Sequence, residues 1–87
     1  MKKVKSVVLL EDFKLQLDFD TGECRIFDAR PYLDKGIFRE LQDPNYFRSA
    51  RVQYGTVAWP NEQDFSPDTL YLESVAKDAE VSSRASR

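Results

Sequence analysis

Acidic residues gathered around a glycine are the first group in this sequence that could do chemistry. Asp20-Thr21-Gly22 matches the triplet of aspartic proteases, in which two such aspartates share a proton across a dimer. Asp18, Asp20 and Glu23 could also bind a hard cation such as calcium or magnesium. Both interpretations have a simpler alternative, because aspartate and glycine are ordinary residues of hairpin turns. The charged neighbours, and a spacing that matches no known metal-binding loop, favour the turn.

Nucleophilic chemistry has few candidates. The chain has no histidine, which removes the commonest general base, the commonest metal ligand and every serine–histidine or cysteine–histidine arrangement. Cys24 could be a reactive thiolate if Arg25 stabilised its charge. The strand pairing predicted below places Cys24 on an apolar face, which favours a buried structural thiol. We therefore expect a protein that is not an enzyme and that holds no cofactor or metal.

Basic residues with tyrosines between them form a second kind of candidate site. Arg48 and Arg51 lie near Tyr46 and Tyr54 in the sequence, and such a surface could hold phosphates and stack on bases. The net charge of −2 and the isoelectric point near 5.1 argue against a dedicated nucleic-acid binder, since such domains are usually basic. The basic face remains an alternative. Its other candidate members are Arg25, Arg30, Lys35, Arg39 and Tyr32.

Trp59-Pro60, with Tyr54 nearby, is the candidate interaction site that the sequence favours. Tryptophan is enriched among the residues that dominate protein interfaces. A tryptophan at the end of a strand is also a common core residue, so both interpretations stay open. A small sheet in addition exposes unpaired backbone groups along its edges, and pairing with another chain is one way to satisfy them.

Length and composition define the framework that must position these residues. The 87 residues suit one domain, and a hydrophobic fraction of 41% suffices for a single core. One cysteine cannot form an internal disulfide, which fits a reducing cytosol. No apolar run approaches the roughly 20 residues that span a bilayer, and Glu11 and Asp12 end the first apolar stretch too early for a signal peptide. We expect a soluble cytoplasmic domain over residues 1–76 and a flexible tail over 77–87.

Strict alternation of apolar and polar residues from Phe13 to Phe19 predicts a strand with one buried face. Flanking apolar segments predict a strand from Val4 to Leu10 and another from Cys24 to Ala29. A second hairpin is predicted over residues 50–59, with its turn at Gly55. We expect one antiparallel sheet of roughly five strands, formed by two hairpins and the N-terminal strand.

The length of the first turn sets the register of the first hairpin. A two-residue turn at Thr21-Gly22 would place Phe19 opposite Cys24. It would also place Leu17 opposite Ile26, so that apolar residues share one face. A three-residue loop with a glycine bulge would shift this register by one residue and disrupt the match. We therefore predict the shorter turn.

Two or three short helices should pack on one face of this sheet. Residues 37–41 have apolar side chains at helical spacing. Asp43-Pro44 is typical of a helix start, with an N-cap followed by proline at the first helical position. Ser66-Pro67-Asp68 is the strongest such start in the chain, and we expect Leu70, Tyr71 and Val75 on the buried side of its helix. The fold class is therefore α+β.

Several short segments follow one another in a recognisable order. They are Leu17 to Glu23, Phe27-Asp28, Gly36-Ile37-Phe38, Leu41, Phe47, Val57 to Pro60 and Asp64 to Tyr71. In this order and spacing, from about residue 4 to residue 72, the chain resembles a bacterial family of uncharacterised small proteins, the domain of unknown function 2442 family. It departs from the family pattern after the tryptophan, where Asn61-Glu62-Gln63 stands in place of an expected glycine.

The resemblance implies a small α+β domain with strands in hairpins and short helices against one face. Some members of such a family are fused to a helix-turn-helix domain, and others resemble partners of a second small protein in toxin–antitoxin-like pairs. The family has no established catalytic residues, so none are carried over. We expect no DNA-binding module in this chain, so a DNA role of fused relatives is not carried over either.

We therefore expect a non-enzymatic cytoplasmic interaction or regulatory module that binds another small protein or itself. The contact would use strand-edge pairing or a hydrophobic patch around Trp59, Pro60 and Tyr54. The alternative is a nucleic-acid-associated regulator that acts through Arg48 and Arg51 or through a DNA-binding partner. No membrane contact is expected.

Overall fold

In the computed structural model, which describes residues 2–77, the strands form two antiparallel sheets. The strands are β1 (Val4–Leu10), β2 (Lys14–Phe19), β3 (Cys24–Asp28), β4 (Arg51–Gln53), β5 (Thr56–Ala58), β6 (Asp64–Phe65) and β7 (Val75–Ala76). Among the described residues the strand order is β1-β2-β3-β7 in one sheet and β4-β5-β6 in the other. The predicted α+β class is confirmed, since short helices connect these strands. The single sheet expected from the sequence is divided into two.

The two sheets meet at a bend in β1. The pairing of β1 with β2 is irregular between Val4 and Ser6. At this point the Val4 N–H donates to the carbonyl of Gly55 at 2.8 Å, which ties the start of β1 to the second hairpin. A bulge bends its strand and increases the local twist. No strand of the second hairpin pairs with β1 beyond this bond among residues 2–77, so the two hairpins form separate sheets.

The first hairpin has a three-residue loop instead of the predicted two-residue turn. Gly22 has a φ of 91° and its N–H donates to the carbonyl of Phe19 at 3.0 Å. The Phe19 N–H donates to the carbonyl of Glu23 at 2.9 Å, as in a type I turn followed by a glycine bulge. Asp18 consequently pairs with Cys24, so the predicted pairing of Phe19 with Cys24 on the apolar face was wrong.

Arg25 stabilises the register that results. It pairs with Leu17, where Ile26 had been predicted. The Arg25 guanidinium lies 4.4 Å from the ring centroid of Tyr71 and donates to both the hydroxyl and the carbonyl oxygen of Ser74 at 2.7 Å. An arginine can cover apolar surface with its stem while its head group is hydrogen-bonded. The apolar match that favoured the shorter turn is therefore replaced by contacts with the end of the chain's second α-helix.

Two α-helices begin where the sequence predicts. Helix α1 (Pro44–Phe47) is capped by Asp43, whose carboxylate accepts a hydrogen bond from the Asn45 N–H at 3.0 Å. Helix α2 (Pro67–Leu72) is capped by Ser66, whose hydroxyl accepts from the N–H of the third helical residue at 3.1 Å. Both caps satisfy donors at the helix start that have no partner within the helix.

Two 3₁₀ helices, Arg30–Tyr32 and Gly36–Gln42, lie between β3 and α1. The second of them covers the predicted helical turns at residues 37–41. None of the helices in residues 2–77 has the length and apolar character needed to cross a membrane.

The end of the described chain differs from the prediction. Val75 was expected on the buried side of α2, but α2 ends at Leu72. Val75 instead pairs with Ile26 in β7 and is 49% exposed, because the chain turns back to the edge of the first sheet. The predicted flexible tail, residues 77–87, lies outside the described residues except for its first residue.

One core fills the space between the two sheets. The Phe65 ring contacts several aromatic side chains of this core, with its centroid 4.7 Å from that of Phe38 and 5.1 Å from that of Phe27. The alternation predicted for β2 is confirmed, although Phe13, just before β2, is only partly buried. The largest fully buried apolar side chains are Trp59, Phe19, Phe27, Leu15, Leu17, Leu41, Leu70 and Val57.

Candidate functional site

A groove of about 480 Å³ opens on the three-stranded sheet and brings several candidate residues together. Its floor follows from the strand register, which places Arg51 beside Ala58 and Ala58 beside Asp64. Ala58 has the smallest side chain of this row, so space is left between a guanidinium and a carboxylate. The remaining lining residues are Gln53, Tyr54, Thr56, Trp59, Pro60 and Glu62.

Tyr54 stands at the rim of this groove because of its turn. Tyr54 and Gly55 connect β4 to β5 with φ values of 54° and 78°, as in a type I′ turn. Glycine suits the second position because its φ of 78° lies in the left-handed region, and an added Cβ would also come within 3.1 Å of the Lys3 side chain. Asparagine, aspartate and glycine are the usual residues at the first position, yet tyrosine occupies it and is 92% exposed. A large aromatic side chain is thus presented to solvent.

Trp59 lies beneath the groove in the core. Its side chain is 1% exposed, and its indole N–H donates to the carbonyl of Phe47 at 2.9 Å. Its ring centroid is 5.8 Å from that of Phe47 and 5.9 Å from that of Phe65. These contacts support the core interpretation of Trp59. Of the predicted interaction residues, Tyr54 and Pro60 are therefore the exposed ones at the groove.

Arg48 and Arg51, the two candidate residues of the basic face, do not share a groove. Arg51 lines the groove on the three-stranded sheet, whereas Arg48 lines a depression of about 320 Å³ with Glu11 and Asp12. Two acidic side chains therefore accompany Arg48. This arrangement does not form a continuous basic surface.

Other arginines of the predicted basic face are engaged by carboxylates. The Arg30 guanidinium contacts the Asp28 carboxylate at 2.7 Å, and its hydrogen bonds hold the pKa of Asp28 below the usual range. Arg25 lies 3.4 Å from Glu23. Paired arginines are less available to phosphates, so the structure gives limited support to a nucleic-acid surface.

A turn supported by polar contacts forms one end of the groove. Pro60, Asn61 and Glu62 form a three-residue loop in which the Glu62 N–H donates to the carbonyl of Trp59 at 3.0 Å. Glu62 has a φ of 74°, in the left-handed region that favours glycine. The departure from the family's glycine pattern falls on this loop, and the position still takes the left-handed conformation.

The buried side chain of Gln63, which directly follows this loop, stabilises it through hydrogen bonds. Its side chain is 2% exposed, and its amide donates to the carbonyl of Ile37 at 3.0 Å and to the carboxylate of Glu40 at 2.9 Å. Its side-chain oxygen accepts from the Tyr46 hydroxyl at 2.6 Å. The Asn61 N–H in turn donates to the Tyr46 hydroxyl at 2.8 Å. These residues, which we call the Gln63 network, are distant in sequence, so no local pattern could have revealed them.

The acidic residues around the first turn each have a separate partner. The Asp18 carboxylate accepts from the Ser6 hydroxyl at 2.7 Å, and this hydrogen bond lowers the pKa of Asp18. The exposed Asp20 accepts from the N–H of Lys3 at 3.1 Å. Across residues 2–77, no three or more cysteine and carboxylate side chains converge on a position that could hold a metal ion. The Asp18 and Asp20 carboxylates are thus engaged in separate hydrogen bonds with β1 and the residue before it.

Cys24 lies beside these carboxylates on the face opposite the core. It pairs with Asp18 and is partly buried, and its thiol hydrogen bond contributes to the lowered pKa of Asp18. The thiol is thus a hydrogen-bonded side chain of the outer sheet face.

Comparison with known proteins places this fold among proteins of unknown function. The model of a family described as Protein of unknown function (DUF2442) matches residues 4–76. A crystal structure of a protein from Nitrosomonas europaea ATCC 19718, described as a "Putative DNA Binding Protein", matches with 25% identity and a TM-score of 0.74. The match covers 92% of this chain and 52% of that protein, so this chain spans about half of that protein's length. No match was found among curated proteins.

Proposed function

The chain belongs to the family of unknown function DUF2442, and we propose that it is a non-enzymatic interaction module that binds another protein through the groove on the three-stranded sheet. The observation that carries the proposal is Tyr54, which is 92% exposed at the rim of this groove. Tyrosine offers a large contact area and loses little conformational freedom on binding. We propose a small partner protein, as in toxin–antitoxin-like pairs, and a cytoplasmic location.

The charges of the groove favour a protein partner over a phosphate backbone. One guanidinium, that of Arg51, lies among two carboxylates, those of Glu62 and Asp64. A phosphate backbone would be repelled by the two carboxylates, whereas a protein surface of mixed charge would be complementary to the groove. Within residues 2–77, no carboxylate forms an ion pair with Arg51, so its guanidinium is available to a partner.

Backbone strain is present at the groove. Tyr54 and Glu62 both lie in the left-handed region, and both line the groove. A residue other than glycine loses about 1–2 kcal/mol in that conformation. Such residues concentrate at binding and active sites, where the side chain has a role that offsets the strain. Among residues 2–77, Tyr54 and Glu62 line the groove, and the other two such residues, Asp12 and Phe13, line the depression that contains Arg48.

A nucleic-acid-associated function is the second candidate, and the DNA binding named for the Nitrosomonas europaea protein favours it. This chain corresponds to about half of that protein, and the basic face is divided. We therefore propose that any association with DNA runs through a DNA-binding partner rather than through Arg48 and Arg51.

Affinity capture with matched variants tests the leading proposal. Tagged protein is recovered from lysate of its native cells with and without nuclease, and the bound species are identified by mass spectrometry. We expect a stoichiometric protein that survives nuclease, is lost with Tyr54→Ala and Arg51→Glu combined, and is retained by Leu72→Ala. Leu72 is 77% exposed on α2 and does not line this groove, so it controls for a general loss of surface apolar area.

Two results would redirect this assignment. Equal capture by wild type and by the double groove variant would place the contact elsewhere. Capture that disappears with nuclease would favour the second candidate, which is then tested with labelled duplex DNA. Direct phosphate contact requires a steep loss of affinity as salt rises, and no binding at low salt would exclude it.

A further inference from the structure

The longest strand within residues 2–77 lies at the edge of its sheet. β1 spans seven residues, Val4–Leu10, and pairs with β2 on one side. On its other side, the Val4 N–H bonds to Gly55, and no other strand of residues 2–77 pairs with this edge. Edge strands carry a row of unpaired backbone donors and acceptors that can pair with another chain.

The hydrogen-bond pattern identifies the backbone groups at this edge. The Phe19 N–H bonds to the carbonyl of Glu23, directly before β3, so alternate residues of β2 face β3 and those between them, including Gln16, face β1. Gln16 pairs with Val8. The Val8 backbone therefore faces β2, and the backbone groups of Val7 and Leu9 face the open edge.

The usual protection of an edge strand is confined to one end of β1. A bulge and a lysine, Lys5, lie at its start, and both features discourage edge pairing. From Ser6 to Leu10 the strand is regular, without proline, and its last four residues are valine or leucine. Such a segment is suited to extend a sheet across an interface.

From this geometry we infer that two copies of the chain pair antiparallel through β1, with the two-fold axis at Val8. In this register Val7 of each copy faces Leu9 of the other, and these are the residues whose backbone groups are open. Lys5 of each copy faces Glu11 of the other. The pairing thus joins two four-stranded sheets into one that continues across the dimer.

The order of charges along the segment favours a second copy over an unrelated strand. Lys3 and Lys5 lie at one end of the apolar run, and Glu11 and Asp12 lie directly after the other. An antiparallel partner must therefore be acidic opposite Lys3 and Lys5 and basic opposite Glu11 and Asp12. A second copy of β1 meets that requirement, because its acidic end lies opposite the lysine end of the first copy. No residue of β1 lines the groove, so the inference does not rest on the proposed function.

Charge exchange between Lys5 and Glu11, both exposed, tests the pairing in the full chain. We expect wild type to sediment as a dimer, and Lys5→Glu or Glu11→Lys alone to raise the dissociation constant about tenfold, because two symmetric pairs become like-charged. The double variant should restore it. An equimolar mixture of the two single variants should also dimerise, since every facing pair is then opposite in charge.

A disulfide at the two-fold axis tests the register. With Cys24→Ser in the background, Val8→Cys should form a covalent dimer on mild oxidation, because each residue 8 faces its copy in a close pair. Ser6→Cys in the same background faces Leu10 and should remain uncrosslinked. A monomer at all concentrations, a dimer indifferent to charge exchange, or equal crosslinking at positions 6 and 8 would overturn the inference. Tyr54→Ala with Arg51→Glu should remain dimeric, which separates this contact from the groove.

Discussion

Two three-residue loops, one in each sheet, connect neighbouring strands with the same pattern of hydrogen bonds but with different residues. The first connects β2 to β3, and the second connects β5 to β6. In the first loop, Phe19 bonds to the residue four positions on at 2.9 Å and receives a bond from Gly22 at 3.0 Å. In the second, Trp59 does the same at 2.9 Å and receives a bond from Glu62 at 3.0 Å. The left-handed position is glycine in one loop and glutamate in the other, with φ values of 91° and 74°.

The environment of the two loops explains how one backbone can carry such different residues. The first loop is exposed, and an added Cβ on Gly22 would meet no atom within 4 Å. Its conformation is set locally by glycine. The second loop is held by the buried Gln63 network, so tertiary hydrogen bonds impose the conformation on Glu62. A loop fixed by its surroundings can present a side chain at a position where a free loop requires glycine.

The residues that precede the loops should give the largest effects. Phe19 and Trp59 are both 1% exposed, so each replacement by alanine removes a large buried aromatic side chain. We expect Trp59→Ala to lower the free energy of unfolding by about 3–5 kcal/mol, and Phe19→Ala by a similar amount. Urea denaturation followed by far-UV circular dichroism measures both, since the single tryptophan cannot serve as a probe.

The free energy of unfolding of the conservative variant Trp59→Phe should lie between those of wild type and Trp59→Ala. This variant keeps most of the buried area but loses the hydrogen bond to the Phe47 carbonyl. Tyr54→Ala should stay within about 0.5 kcal/mol of wild type, as for other exposed positions. Unchanged stability in Trp59→Ala would contradict the core role of Trp59 and restore it as an interaction residue.

Replacement of the residue that follows each loop should distinguish the two loops more clearly than replacement of the residue that precedes it. Gln63→Leu leaves the Ile37 carbonyl and the Tyr46 hydroxyl without their buried partner, so we expect a loss of about 2–3 kcal/mol. Glu23→Leu at the matching position of the first loop should have a much smaller effect, since solvent can replace its contacts. Tyr46→Phe should lose about 1 kcal/mol through the same network. Equal losses for Gln63→Leu and Glu23→Leu would show that the second loop is not held by its network.

Exchange of the residue at the left-handed position should give effects of opposite sign. Glu62→Gly should stabilise by about 1 kcal/mol because it relieves strain. Gly22→Ala should destabilise by about 1 kcal/mol without any steric contact, so that the loss reports backbone conformation alone. Urea midpoints at constant m-value measure both. If Glu62→Gly also weakens capture of the partner, the Glu62 side chain contributes to binding at the groove. A lower free energy of unfolding in Glu62→Gly would contradict the strain argument.

Features encoded within a few residues could be predicted from the sequence. The caps at Asp43 and Ser66 and the alternation through Leu15 and Leu17 are local, and each is present in the structure. The turn at Gly55 is also local. These signals were enough to give the α+β class and the exposed part of the candidate site.

Features decided by distant contacts could not be predicted. The first loop could have had two or three residues, and the longer form is supported by the bond from Arg25 to Ser74, which is 49 residues away. β6 and β7 have two residues each and exist through their pairing rather than through an alternating pattern. The left-handed Glu62 gives no sequence signal, because the network that imposes it comes from the segments around Ile37 and Tyr46.

The smallest effect that distinguishes the loops is the acid sensitivity of the first. The Thr21 hydroxyl and then the Tyr71 hydroxyl donate to the Glu23 carboxylate and lower its pKa. Its folded pKa is below the unfolded value of about 4.3, so its contribution is complete above that value and is lost as the pH falls through the folded pKa. Glu23→Gln should therefore reduce the loss of melting temperature between pH 6 and pH 3. Gly22→Ala lowers stability without changing the Glu23 carboxylate, so its melting temperature should keep the wild-type pH dependence. An unchanged pH dependence of the melting temperature in Glu23→Gln would assign the acid sensitivity to other carboxylates. The first of these is Asp18, whose pKa is lowered by the hydrogen bond from Ser6.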